Sequence, residues 1–142
     1  MSWFPKRKVV VPIDFSDQSF EAVDVGLSLV DEPSHLHVIH VMQDVTAAQP
    51  GMLFSVLDEA QRRDQTAEGL RNRLSDPKYG GVATHVSFGD PGQTVAEFAE
   101  KIDAELIVLP SHGRGGISRL VMGSVAERIT RLSHCPVLIL RQ

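Results

Sequence analysis

The chain is poor in the features that mark several whole classes of protein. It holds one cysteine, Cys135, among 142 residues, so no internal disulfide can form, and a reducing compartment suits it. No window approaches the roughly 20 apolar residues that cross a bilayer. The basic opening Met1 to Lys8 is followed by an apolar run, Val9 to Ile13, that Pro12 interrupts and Asp14 ends, which is too short for a signal-peptide core. The expectation is a cytoplasmic chain with no membrane partner. An excess of positive charge is also missing. Fourteen Lys and Arg stand against 18 Asp and Glu, a formal charge of −4, the wrong sign for a chain whose main partner is nucleic acid. The lysine-bearing phosphate loop G-x4-G-K-[ST] is absent, as are internal repeats and low-complexity tracts.

What is present suits one compact domain over residues 1–142. With 42% apolar residues, a chain of this length buries enough surface to need no disulfide or structural metal. Residues 8–13, 106–109 and 137–140 are short, continuous, β-branched-rich apolar runs, the pattern of strands buried on both faces of a parallel sheet. Two more strands are expected at Leu36 to Met42 and Val82 to Phe88. Between the strands lie helical stripes. Ala22, Val23, Gly26, Leu29 and Val30 form one; Val95, Phe98, Ala99 and Ile102 form another. A thinner stripe, Ala60, Ala67, Leu70 and Leu74, follows a helix start at Ser55, and Asp90 before Pro91 reads as a cap with proline at the first helical position. The alternation β-α-β-α-β-α-β-α-β implies right-handed crossovers. The fold class is therefore α/β, a doubly wound, mainly parallel five-stranded sheet with helices on both faces. Gln43 to Phe54 has no clear period and reads as a loop.

Doubly wound sheets bind ligands at the carboxyl ends of their strands, near the point where strand order reverses. The loops after the first, second and fourth strands therefore matter most. After the first comes Asp14-Phe15-Ser16. Ser16 suits the cap of the first helix, which leaves Asp14 as a carboxylate for a ligand. After the fourth comes Pro110 through Gly116, where Gly113, Gly115 and Gly116 let backbone N–H groups approach an anion. Gly123-Ser124 follows. Ser124 and Glu127 have capping-box spacing, so a helix is expected to open there with its positive end toward the same loop. Arg114 and Arg119 supply positive charge. The bland alternative is that the glycines only turn the chain and the serine only caps.

Four stretches together resemble the universal stress protein family over the whole chain. They are Val-Pro-Ile-Asp-Phe-Ser at 11–16, His40-Val41, Gly89-Asp90-Pro91, and Ser111-His112-Gly113 through Gly123-Ser124-Val125. The ATP-binding members of that family carry G-x2-G-x9-G-[ST]. Here the spacing from Gly113 to Gly123 is kept and Pro110 stands in place of the first glycine. The resemblance implies an adenine nucleotide-binding α/β fold in which Pro12, Asp14 and Val41 meet the nucleoside and Leu109 lies beside the adenine. Gly113, Gly123, Ser124 and Val125 then follow the ribose and phosphates, to which the loop's Arg114 adds charge, with Mg2+ arriving on the nucleotide (ATP, or AMP or ADP). Proline lacks the N–H a glycine would offer at 110, and its fixed φ either weakens the site or preorganises the loop.

Two function classes follow. The first is an ATP-binding regulatory module acting in stress response, with slow or no hydrolysis, because no general base is evident for a γ-phosphate. The second is an interaction protein of the same fold without nucleotide. An adenylyl-transferring enzyme is a third and weaker reading. The first two expect a homodimer through Val137 to Leu140, an apolar edge with no charge before Arg141. Six histidines raise a metal reading. Period two places His35 and His37 on one strand face and His40 on the other, with His85 near the first pair if the strands are neighbours, but no Cys, Asp or Glu completes a ligand set, so no metal site is assigned. Cys135 reads as a small buried hydrophobe, and Trp3 and Phe4 as packing against the domain or a partner.

Overall fold

The computed structural model describes residues 3–43, 55–111 and 122–141. Five parallel strands form one sheet: β1 (Val9–Ile13), β2 (Leu36–Met42), β3 (Ala83–Phe88), β4 (Leu106–Pro110) and β5 (Val137–Leu140), in the order β3-β2-β1-β4-β5. The helices α1 (Asp17–Ser28), α2 (Ser55–Arg73), α3 (Pro91–Lys101) and α4 (Ser124–Leu132) are the crossovers. The expected doubly wound α/β fold is the observed one.

Alternation along the strands divides the core between two faces. Val9, Val11 and Ile13 join Leu36, Val38, Leu106 and Val108 beneath α1 and α2, where Ala22, Val23, Leu70 and Leu74 meet them. Val10, Ile39, Val41, Ile107 and Leu109 pack on the other face against Val95 and Ala99 of α3 and Ala126 and Ile129 of α4. Gly26 lets α1 lie close to this sheet, because a Cβ there would stand 2.8 Å from Val11 Cγ2 and 2.9 Å from Leu36 Cδ1.

The helix starts follow their local chemistry. Ser16 Oγ accepts from Ser19 N at 3.2 Å at the head of α1. Asp90 Oδ2 accepts from Gln93 N at 2.9 Å at the head of α3, with Pro91 in the first turn. The start of α4 departs from expectation. Gly123 is the flanking residue and Ser124 is already inside the helix, so the flanking position has no side chain with which to cap α4. The stripe on α2 is thinner than its spacing suggests, since Ala60 is exposed while Leu70 and Leu74 are buried.

One expectation about the histidines changes, and Trp3 and Phe4 lie at the surface. Trp3 and Phe4 are 55% and 36% exposed; they stack edge to face on each other, and Lys6 Nζ sits 4.0 Å from the Trp3 ring centre. His35 belongs to a short 3-10 turn, Pro33–His35, rather than to β2, and its Nδ1 pairs with Asp31 at 2.5 Å. Pro33 starts that turn before the strand can begin at Leu36. Cys135 is half-buried against the α3/α4 core, its Sγ 3.5 Å from Ser133 Oγ.

Candidate functional site

The strand order reverses between β1 and β4, and the ladder between these two strands is short. Registered pairs run only Val9 with Leu106 and Val10 with Ile107. On its other edge β1 pairs with β2 along all five residues, Val9 with Leu36 through Ile13 with His40. The cause lies in two prolines. Lys8 O accepts from Glu105 N at 2.8 Å, so the even-numbered residues of β1 direct their backbone polar groups toward β4. Pro12 falls on that set and has no N–H to give. On β4, Ile107 N and Ser111 N donate to Pro136 O and Leu140 O on the β5 side, so the odd residues face β5 and Pro110 faces β1. Each proline thus removes a donor from the same gap. Pro110 still pairs in register with Leu140, because its missing N–H lies on the edge away from β5.

The short ladder lies at the switch point, where a ligand crevice is expected. The nearby strand residues on the α3/α4 face are apolar. Val41 is 8% exposed and Leu109 3% exposed, both in that core, and period two puts Pro12 on the same side. Asp14 follows β1 directly and is half-buried, its Oδ1 accepting from Ser16 N at 3.0 Å. Phe15 adopts φ of +65°, a left-handed conformation uncommon for a non-glycine residue. That turn lifts the chain off the sheet into α1.

From the far side of the crevice, Gly123 N donates to Ser111 O at 2.7 Å, which ties the start of α4 to the end of β4. Ser124 and Val125 are exposed on the first turn of α4. The first-turn N–H groups of a helix have no partner within it, and the flanking Gly123 has no side chain to offer them. Gly123 itself is engaged with Ser111, so its N–H serves the fold. Of the expected site residues, Pro12, Asp14, Val41, Leu109, Pro110, Gly123, Ser124 and Val125 gather at the carboxyl edge of the sheet. Gly113 and Arg114, like Arg119, His112, Gly115, Gly116 and most of the expected loop Gln43 to Phe54, lie outside the described residues.

In the sequence His40 belongs to the family stretch His40-Val41 and to the histidines that raise a metal reading. Its Nδ1 contacts Ile13 O at 2.8 Å and its ring meets Phe15 edge to face at 4.8 Å. The side chain therefore supports the end of β1 from the α1/α2 face. A second polar cluster lies away from the crevice. His37 Nδ1 and His85 Nε2 are 3.2 Å apart on β2 and β3, and both rings pack near Phe98 of α3. Burial holds both imidazoles below their ordinary pKa, and His37 is lowered further by the charges of His85, Lys8 and His35. Among the described residues no group of three or more His, Cys, Asp or Glu is placed to hold a metal ion. None of the described helices is long and apolar enough to cross a membrane.

Comparison with known proteins adds the lineage. The universal stress protein family model matches residues 6–141. Universal stress protein MJ0531 of Methanocaldococcus jannaschii is 33% identical over 141 residues, covering 96% of this chain and 82% of that one. Among solved structures, the universal stress protein UspA from Lactobacillus plantarum superposes with a TM-score of 0.76 at 22% identity, covering 96% of this chain and 99% of that one. A universal stress protein solved in complex with cAMP has a TM-score of 0.60 at 24% identity, covering 96% of this chain and 98% of that one.

Proposed function

Because the chain belongs to the universal stress protein family, we propose that it acts as an adenine nucleotide-binding regulatory module in stress response, with ATP as ligand and slow or no hydrolysis. The observation that carries this reading is the short ladder between β1 and β4 at the switch point, two registered pairs against five toward β2. The apolar Val41 and Leu109 nearby suit a flat purine, and Asp14 after β1 suits the hydroxyls and ring nitrogens of a nucleoside. The first turn of α4, headed by Gly123 and carrying Ser124 and Val125, suits phosphate oxygens. Gly113 extends that end of the site by family resemblance and Arg114 by its charge, and Mg2+ enters only with the phosphates. The structural neighbour solved with cAMP holds an adenine nucleotide of the same chemical class.

Calorimetric titration of nucleotide-stripped protein with ATP and Mg2+ tests the reading. Saturable binding with a dissociation constant in the micromolar range is expected. Pro110→Gly should tighten it, since a glycine N–H at this position faces the crevice. Absence of binding in both the parent and Pro110→Gly would sink the nucleotide reading.

One observation favours the second function class. The edge strand β5 leaves Leu138 37% exposed, and a free apolar edge invites pairing with another strand. A homodimer through Val137 to Leu140 whose work is done by its surfaces accounts for that edge without any ligand. Light scattering at micromolar concentration checks the dimer, and a monomer there would remove this reading.

A further inference from the structure

We propose that His40 is a positioning residue for the nucleotide site, acting on Asp14 through the backbone of β1. The inference rests on the nucleotide reading given above and goes beyond it by assigning a residue on the opposite face of the sheet. Val41 faces the crevice floor, so its neighbour His40 points to the α1/α2 face and touches no part of the crevice directly.

The link runs through one peptide unit. A carbonyl oxygen can only accept, so at 2.8 Å from Ile13 O the His40 Nδ1 carries the proton and donates it. Ile13 C=O and Asp14 N–H belong to the same trans peptide, in which the C=O and N–H bonds point in opposite directions. Pinning the carbonyl toward β2 therefore aims Asp14 N–H toward β4, into the gap that the two prolines leave. The same bond fixes the direction from which the Asp14 side chain departs.

The next residue shows why a clamp is needed. Phe15 is in the left-handed region, and backbone strain of this kind persists only where surrounding contacts enforce it. His40 meets Phe15 edge to face at 4.8 Å, and Phe20 of α1 stands 6.0 Å away on the same ring. Asp14 Oδ1 closes the turn onto Ser16 N. His40 is the residue of this group that touches both sides of Asp14, the carbonyl before it and the ring after it.

The test compares His40→Ala with His40→Asn by calorimetric titration with ATP and Mg2+, beside thermal unfolding. Asparagine places an amide donor near the Nδ1 position and removes the ring as alanine does. His40→Ala should weaken ATP about ten-fold, the size expected for loss of one such hydrogen bond, and His40→Asn should recover most of that loss. A ring that served only packing would leave the two variants equal in affinity, which overturns the proposal. Asp14→Ala supplies the second check. If His40 works through Asp14, adding His40→Ala to Asp14→Ala costs little further affinity, whereas full additivity overturns the proposal. An unmutated chain that binds no ATP removes the nucleotide reading and this inference together. Equal affinities of the alanine and asparagine variants in a chain that does bind remove this inference alone.

Discussion

The two edges of β1 carry the same strand into opposite roles. Toward β2 the ladder is complete over five residues and the β2 to β3 ladder extends it through six more registered pairs; toward β4 it stops after two. Both edges contain apolar, β-branched sequence, so hydrophobicity does not separate them. Backbone donors do. The odd residues of β1 that face β2 are Val9, Val11 and Ile13, all able to donate, while the even set that faces β4 includes Pro12. A parallel sheet thus shortens its ladder by withholding hydrogen bonds on one side of a central strand and keeps the other side intact as a brace.

The largest expected effect tests that division directly. Ile39 is fully buried on the braced side, and Ile39→Ala should cost about 2–5 kcal/mol of unfolding free energy through lost transfer and a residual cavity. Pro12→Ala, on the open side, should stay within about 1 kcal/mol of the parent in either direction, because it returns a donor while relaxing the unfolded chain. Denaturant unfolding of both variants decides it. Equal losses would mean that the β1 to β4 edge is packed as tightly as the braced one.

A smaller effect concerns the braced side under acid. His37 and His85 meet across β2 and β3, and burial depresses both pKa values, so the folded state binds fewer protons than the unfolded state as pH falls through the ordinary imidazole range. Unfolding free energy depends on pH with the sign of the protons bound unfolded minus those bound folded, which is positive here. The contribution is therefore present above about pH 6.5, the ordinary imidazole value, and is lost on acidification through the lowered folded values. Thermal unfolding between pH 7.5 and 5 should show this slope, and His85→Phe should flatten it. An unchanged slope in that variant would place the acid sensitivity elsewhere.

The sequence carried most of the fold because its signals were local. Continuous apolar runs mark the strands, and Ser16 and Asp90 with Pro91 mark two helix starts by the bonds they make. What escaped it was directional. Pro110 reads in sequence as the first residue of a loop, yet it closes β4 and pairs with Leu140; only the alternation of donors along the strand tells which side its missing N–H affects. Ser124 has the right neighbours for a cap but sits one residue too far into the helix. His40 had no sequence signal for its bond to Ile13, since that contact depends on register across 27 residues. The pairing of His37 with His85 was legible as a conditional, because period two supplies the face and strand order supplies the neighbour.

The smallest effect separates two jobs of one residue where α3 meets α4 on the open side. Asp90 Oδ2 caps α3 through Gln93 N and also lies 2.9 Å from Arg128 Nε, while the Arg128 stem crosses Gly92 so closely that a Cβ there would stand 2.7 Å from Arg128 Cβ. Both charged groups are about half exposed, so the ion pair should contribute under about 1 kcal/mol, with salt screening what remains. Asp90→Asn keeps an accepting oxygen for the cap and loses the charge; Asp90→Ala loses both. Alanine should therefore cost about 1 kcal/mol more than asparagine, the usual worth of an N-cap. Added salt should shrink the asparagine effect and leave the difference between the two variants unchanged. Equal losses from both substitutions would show that the charge pair, rather than the cap, holds α3 against α4 at the mouth of the crevice.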